Sequence, residues 1–326
     1  CYGDVCMTQQ LKAELEKMGK RSREAARELA KTPTYVKNNA LSNIAKALIA
    51  RQDEVLAANK SDYDAGRRNG LSETLLDRLF LDRGRLESMA ADIRSVVNLA
   101  DPVGEEFDVR TLPNGLRLGR RRVPLGVVGA IYESRPNVTI DLASLCLKSG
   151  NAVILRGGSE AFNSNKALAM LVRENLAVAG MSPDCVQLVQ DTNRELIGIL
   201  LSMRDYIDIL IPRGGADLIR RVADEATMPV ITGGVGVSHT YIDESADIKM
   251  AVDIAYNAKV QRPTVCNALD TLLVHAQSAA TQLPEIATAW LSAGVEIHAD
   301  DRAMRILESL ENPRILPADE KDWGTE

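Results

Sequence analysis

Cys266 is the residue best placed to do covalent chemistry. It lies in the stretch Gln261-Arg-Pro-Thr-Val-Cys-Asn-Ala-Leu-Asp270. A polar helix end, Asn257-Ala-Lys259, runs into this stretch, and an apolar run, Leu272 to Val274, leaves it. Pro263 breaks the helix, so the pattern predicts Cys266 on a turn between a helix and a strand. A thiol on such a turn is held rigidly and still meets a substrate. Lys259 and Arg262 stand close in sequence and favour the thiolate, which is the nucleophilic form. The alternative is a half-buried structural cysteine, because free cysteine packs as a small hydrophobe.

The other chemistry-bearing residues suggest fewer sites. The remaining cysteines are Cys1, Cys6, Cys146 and Cys185; no C-x-x-C pair and no metal-ligand spacing occur among the five. A disulfide framework is not expected in a chain of 326 residues, and a reducing cytoplasm fits better. His239, His275 and His298 lie far apart and suggest no metal site. The net charge of −6, without a long basic block, does not indicate a nucleic-acid surface. No run is apolar enough to suggest a membrane span or a signal peptide. Residues 1–6 precede the first methionine and read as a leader or an expression remnant.

The length suggests about two domains. Residues 8–100 read as helices: Leu11, Leu15 and Met18 recur at helical spacing, as do Leu41, Ile44, Ala45, Leu48 and Ile49. Ser72-Glu-Thr74 opens a further helix. Pro113-Asn-Gly115 between two strand-like runs predicts a hairpin. The run Arg120-Arg-Arg122 is either a phosphate patch or a solvated edge that resists pairing.

From Leu125 strands and helices alternate at short intervals. Strands are predicted at 126–131, 151–155, 186–189, 207–211 and 228–231, with helices between them near 140–147, 165–179, 194–203 and 216–226. Val- and Ile-rich strands in this rhythm indicate a parallel sheet covered on both faces. Ligands on such sheets sit at the strands' carboxyl ends. The glycine-bearing turns there supply candidate cofactor contacts: Arg156, Gly157, Gly158 and Ser159; Arg213, Gly214 and Gly215; Gly233 and Gly234. Gly233-Gly-Val-Gly236 lacks the third glycine of a dinucleotide fingerprint, and no Walker loop is present. After residue 240 a second unit is predicted: strand 240–242, helix 246–259, the cysteine turn, strand 270–275, helix 283–293, strand 294–298 and helix 300–310.

Three long motifs carry a resemblance. They are Gly126-Val-Val-Gly-Ala-Ile-Tyr-Glu-Ser-Arg-Pro-Asn-Val-Thr-Ile-Asp141, Asn151-Ala-Val-Ile-Leu-Arg-Gly-Gly-Ser159 and Gln261-Arg-Pro-Thr-Val-Cys-Asn-Ala268. Lys37-Asn-Asn-Ala-Leu41 and Leu76-Asp-Arg-Leu-Phe80 add to them. With these the chain, from Met7 to its end, resembles the aldehyde dehydrogenase superfamily, and within it the γ-glutamyl phosphate reductases. The resemblance implies two doubly wound α/β domains plus an oligomerisation hairpin. It sets 7–105 and 123–240 as the cofactor domain, 106–122 as the hairpin and 241–326 as a catalytic domain. It also implies that family members run on beyond Glu326, so that the C-terminal part is expected to be missing here.

The resemblance further implies NADPH-dependent reduction of L-glutamyl 5-phosphate to glutamate 5-semialdehyde in proline biosynthesis. It implies a cytoplasmic homo-oligomer and a functional link to glutamate 5-kinase. Cys266 becomes the nucleophile. The oxyanion donors are Asn137 and the Cys266 N–H, with Arg135 as the alternative to Asn137; Asn137 is otherwise the cap of its helix. Arg156 faces the 2′-phosphate of NADP(H), or else pairs with Glu160. Arg135, Lys259 and Arg262 cradle the acyl phosphate, or else pair with Glu133 or Asp270. Glu326 matches a ribose-binding glutamate. Hydrolytic relatives hold a general base where this chain has Ile231 and Thr232, so a hydrolytic aldehyde dehydrogenase is disfavoured. The third reading is a truncated, inactive assembly module.

Cys266→Ala is expected to abolish turnover and to leave NADPH binding intact. Turnover that survives in Cys266→Ala and is lost by alkylation at Cys146 or Cys185 contradicts the assignment.

Overall fold

The fold is that of a computed structural model. It describes residues 2–193, 195–233, 236–263, 265 and 267–324, with side chains from residue 9 onward. The chain divides into two compact units, 1–232 and 233–326. The division falls ahead of residue 240 because the strand that begins at His239 pairs within the second unit.

The first unit opens with five helices: α1 (Tyr2–Leu29), α2 (Thr34–Ala50), α3 (Gln52–Arg68), α4 (Glu73–Leu79) and α5 (Arg83–Asn98). Side-chain oxygens start two of them. Ser72 Oγ accepts from Leu75 N and opens α4, and Asp82 does the same for α5 from Arg85 N. The hairpin follows as β1 (Glu106–Thr111) and β2 (Arg117–Arg121), antiparallel. Its arginines take carboxylate partners: Arg122 meets Glu105 at 2.7 Å and Arg120 meets Asp108 at 3.6 Å. These pairs are solvated, which favours the edge reading of the run over a phosphate patch.

A four-stranded parallel sheet comes next, in the order β5-β4-β3-β6. Its elements are β3 (Val127–Tyr132), α6 (Asn137–Lys148), β4 (Ala152–Arg156), α7 (Phe162–Val178), β5 (Val186–Leu188), α8 (Glu195–Leu201), β6 (Ile209–Arg213) and α9 (Ala216–Glu225). Every residue of β3 and β4 is buried. Val128, Ala130 and Tyr132 face a core built with α2, α5, α6 and α7. Val127 and Ile131 face the opposite core with α8 and α9. Helix α1 contributes to both cores, so the N-terminal helices are not a layer on one face.

The strand expected at 228–231 does not form. Leu210 N donates to Pro229 O and Ile231 N donates to Leu210 O, which makes a single bridge. Pro229 has no N–H to extend a ladder.

The second unit holds two parallel strand pairs among the described residues. β7 (His239–Ile242) pairs with β8 (Thr271–Val274), flanked by α10 (Ile248–Val260) and α11 (Ala279–Ser292). β9 (Ile297–Ala299) pairs with β10 (Ile315–Pro317) across α12 (Asp301–Leu307). β10 is absent from the sequence reading; three residues ending in proline carry too little pattern to register.

A buried charge network fixes the far end of α6. Lys37 Nζ lies 2.6 Å from Asp101 Oδ2 and donates to Lys148 O at 3.1 Å. Lys148 Nζ donates to Asn38 Oδ1 and to Val97 O. Burial works against the Asp101 anion, but bonds from Lys37, Thr34 and the Val103 N–H outweigh it and hold the carboxyl below its usual range. The stability this adds is therefore present above the unfolded carboxyl value of about 3.9 and is lost as pH falls through the lower folded value. Removing one member of a buried pair typically costs about 3–5 kcal/mol. Lys37→Ala is expected to lower the unfolding free energy by about 3 kcal/mol in urea at neutral pH, with a smaller loss in acid. A loss that does not shrink between pH 7 and pH 3 contradicts this account of the network.

Candidate active site

The order β5-β4-β3-β6 reverses direction beside β3, since β4 lies on one side of it and β6 on the other. The crevice at the carboxyl ends of β3 and β6 is therefore the place where a sheet of this kind receives a ligand. The segment Glu133 to Asn137 leaves β3 there, and Arg213-Gly-Gly215 leaves β6. The structure brings Arg135, Asn137, Arg213, Gly214 and Gly215 onto these two adjacent loops.

Asn137 is the first residue of α6, and its side chain makes no capping bond; Pro136 takes the cap position. The capping reading therefore fails here. Asn137 Nδ2 instead donates to Asp141 Oδ2 at 2.9 Å, one turn on in the same helix. An amide nitrogen carries two hydrogens, so this bond orients the group and leaves a second N–H for a ligand. Burial pushes the Asp141 carboxyl up; the Asn137 bond and the field of Arg213 act the other way.

Two carboxylates hold the loops. Glu133 Oε2 accepts from Gly215 N at 3.0 Å. A Cβ on Gly214 would stand 2.5 Å from that oxygen, which is why the position takes glycine. Glu160 Oε1 accepts from Ser134 N at 2.6 Å and from Ser134 Oγ at 2.8 Å. Its carboxylate is thus turned to Ser134, not held in the expected pair with Arg156. Arg156 is buried at the end of β4, and its Nη2 donates to Thr192 O at 3.1 Å.

Gly157 is also explained by internal packing. A Cβ there would lie 2.1 Å from Asn165 Nδ2. Asn165 in turn accepts from Thr139, which meets the buried Tyr132 hydroxyl. Ser159 and Arg213 are exposed, at an edge where Glu133 and Glu160 are both engaged.

In the second unit the turn after α10 is tied at its end. Leu269 N donates to Ala258 O, and Asp270 Oδ2 accepts from Ser238 N at 3.0 Å. Asp270 therefore spends an oxygen on backbone. Val265 N donates to Arg262 O, and Ala268 N donates to Val265 O. Lys259 lies in the last turn of α10 and is half-buried; Arg262 and Gly233 are exposed. Cys266, Gly234 and Glu326 lie outside the described residues. The described cysteines in the first unit are unlike nucleophiles: burial pushes the Cys146 and Cys185 thiols up to about 12.

Asp141, Glu133 and Glu160 are the members that sequence reasoning assigned no positive role. The i, i+4 spacing of Asn137 and Asp141 was the one available signal.

Comparison with known proteins now defines the class. The aldehyde dehydrogenase family profile matches residues 5–304. An acetylating aldehyde dehydrogenase from Geobacillus thermoglucosidasius shares the fold, with a TM-score of 0.65 over 90% of this chain and 61% of its own at 18% identity. The γ-glutamyl phosphate reductase of Roseiflexus castenholzii is 53% identical over 316 residues, 96% of this chain and 75% of the relative. That of Dehalococcoides mccartyi is 50% identical over 313 residues, 96% and 74% respectively. The crystal structure of the Thermotoga maritima γ-glutamyl phosphate reductase superposes with a TM-score of 0.86 at 43% identity, covering 96% of this chain and 74% of that one. The chain belongs to the γ-glutamyl phosphate reductases of the aldehyde dehydrogenase family.

If Asn137 donates to a developing oxyanion, Asn137→Ala is expected to lower kcat by roughly 100- to 1000-fold. Asp141→Ala, which frees the amide to rotate, is expected to lower it by about 10-fold, with the NADPH Kd unchanged in both. An Asp141→Ala enzyme with full kcat contradicts the orienting bond.

Proposed function

We propose that the protein reduces L-glutamyl 5-phosphate to L-glutamate 5-semialdehyde and inorganic phosphate. The observation that carries this reading is the kinship of half-identity with γ-glutamyl phosphate reductases over 96% of the chain. A kinase acting on the side-chain carboxylate of glutamate must supply so reactive an acyl phosphate.

The Cys266 thiolate attacks the acyl carbon. The acyl C–O bond breaks and phosphate leaves, which needs little acid assistance. The covalent thioester splits one hard step into easier ones. A nicotinamide cofactor, when held at the Arg156–Ser159 and Arg213–Gly215 edge, would supply the hydride that this carbon accepts. The C–S bond then breaks, the aldehyde departs and the thiolate returns. Asn137 and the Cys266 N–H hold the oxyanion, and Arg135, Lys259 and Arg262 receive the phosphate. Arginine matches phosphate oxygens best in geometry.

The cofactor is NADP(H). A 2′-phosphate tolerates no free carboxylate nearby, and Glu160, the acid next to Ser159, is committed to Ser134. The binding edge of the first unit comprises Arg156 to Ser159 and Arg213 to Gly215; Gly233, Gly234 and Glu326 are further cofactor residues by the family resemblance. The protein works as a homo-oligomer through its hairpin: β1 and β2 are solvent-facing, and Val109, Leu116 and Leu118 stand exposed on or beside them. Among the described residues no helix is long and apolar enough to cross a membrane.

Ile231 and Thr232 offer no base to activate water. Oxidation of the semialdehyde is therefore expected to require phosphate or arsenate, with Arg135→Ala and Arg262→Ala raising the anion's KM more than the cofactor's. Full-rate oxidation in phosphate-free buffer sinks the proposal.

A further inference from the structure

Ser134 departs from ordinary backbone. Its φ is 39°, one of three positive values at non-glycine positions among the described residues, and it is the buried one of the three. The left-handed region strains a residue with a side chain, and such a conformation persists only where its surroundings over-determine it. Glu160 supplies that determination. One carboxylate oxygen takes both the N–H and the hydroxyl of Ser134, at 2.6 and 2.8 Å. Charge-assisted bonds of this kind are the strong ones.

The rest of the local sequence is arranged around this contact. Glu160 lies in a single turn of 3₁₀ helix, Ser159–Ala161, directly after β4. Its carboxylate folds back over Gly158, where a Cβ would stand 2.2 Å from Oε1. Glycine at 158 leaves room for the carboxylate in this position. The residues that follow Ser134 are Arg135, Pro136 and Asn137. A residue at φ 39° sets the direction in which the chain enters α6, and so sets where Arg135 and Asn137 begin.

We propose that Glu160 is a positioning residue for the reduction, holding the left-handed turn at Ser134 that aims Arg135 and Asn137 at the acyl phosphate. Glu160 touches none of the reacting atoms; it acts through Ser134. The inference rests on the reading of the site given above.

Five variants test it with glutamyl phosphate and NADPH. Glu160→Ala is expected to lose about 10- to 100-fold in kcat and to raise the KM for glutamyl phosphate, with the NADPH Kd, read by fluorescence, changing less than about 3-fold. Glu160→Gln keeps an oxygen that accepts from both donors and is expected to stay within a few-fold of wild type. The decisive variant is Glu160→Ala with Ser134→Gly. Glycine enters the left-handed region without strain, so the double variant is expected to recover most of the lost kcat. A well-folded double variant no more active than Glu160→Ala overturns the inference, as does a loss that follows NADPH affinity. Should Glu160→Ala fail to fold, Ser134→Gly against Ser134→Ala decides: alanine must still bear the strain and is expected to be the slower. Equal rates overturn the inference. A wild-type enzyme that cannot reduce glutamyl phosphate overturns this inference and the parent reading together; an active wild type with an unimpaired Glu160→Ala overturns the inference alone.

Discussion

A strand buried on both faces cannot leave its terminal N–H groups to water, and β3 is such a strand. Carboxylates solve this at both of its ends. At the start, Asp208 Oδ2 accepts from Val127 N at 2.8 Å while Arg23 balances its charge at 3.0 Å. Gly126 makes room, since a Cβ there would lie 2.2 Å from that oxygen. At the finish, Glu133 and Glu160 bind the loops of β6 and β3. The candidate site of the first unit is built on the finish.

The same helix that closes the core also carries the site. α6 presents Asn137 at its first turn and Lys148 at its last. The buried pair of Lys37 and Asp101 fixes the second, and the Ser134 turn leads into the first. Packing and chemistry are thereby linked through one rigid element, which is how a site acquires the geometric tolerance that catalysis demands.

Much of this was legible in the sequence. Val- and Ile-rich runs gave all four sheet strands, and Asn114-Gly115 gave the hairpin. The family motifs gave the reaction class. Side-chain destinations were not legible. Of Arg156, the sequence carries no sign that its Nη2 donates to Thr192 O. Glu160 was read as a surface partner and is instead the clamp on Ser134. Both outcomes depend on which loops the sheet order brings side by side, and no local pattern encodes that. The 228–231 segment had strand composition but lacked a donor at Pro229, and a single bridge resulted.

On the proposed route the acyl group passes through Cys266. Incubating the protein with glutamyl phosphate in the absence of NADPH, quenching in acid and mapping peptides by mass spectrometry tests it directly. A γ-glutamyl adduct is expected on the peptide that carries Cys266, discharged when NADPH is added before the quench. An adduct on another residue, or turnover without any adduct under single-turnover conditions, would contradict it.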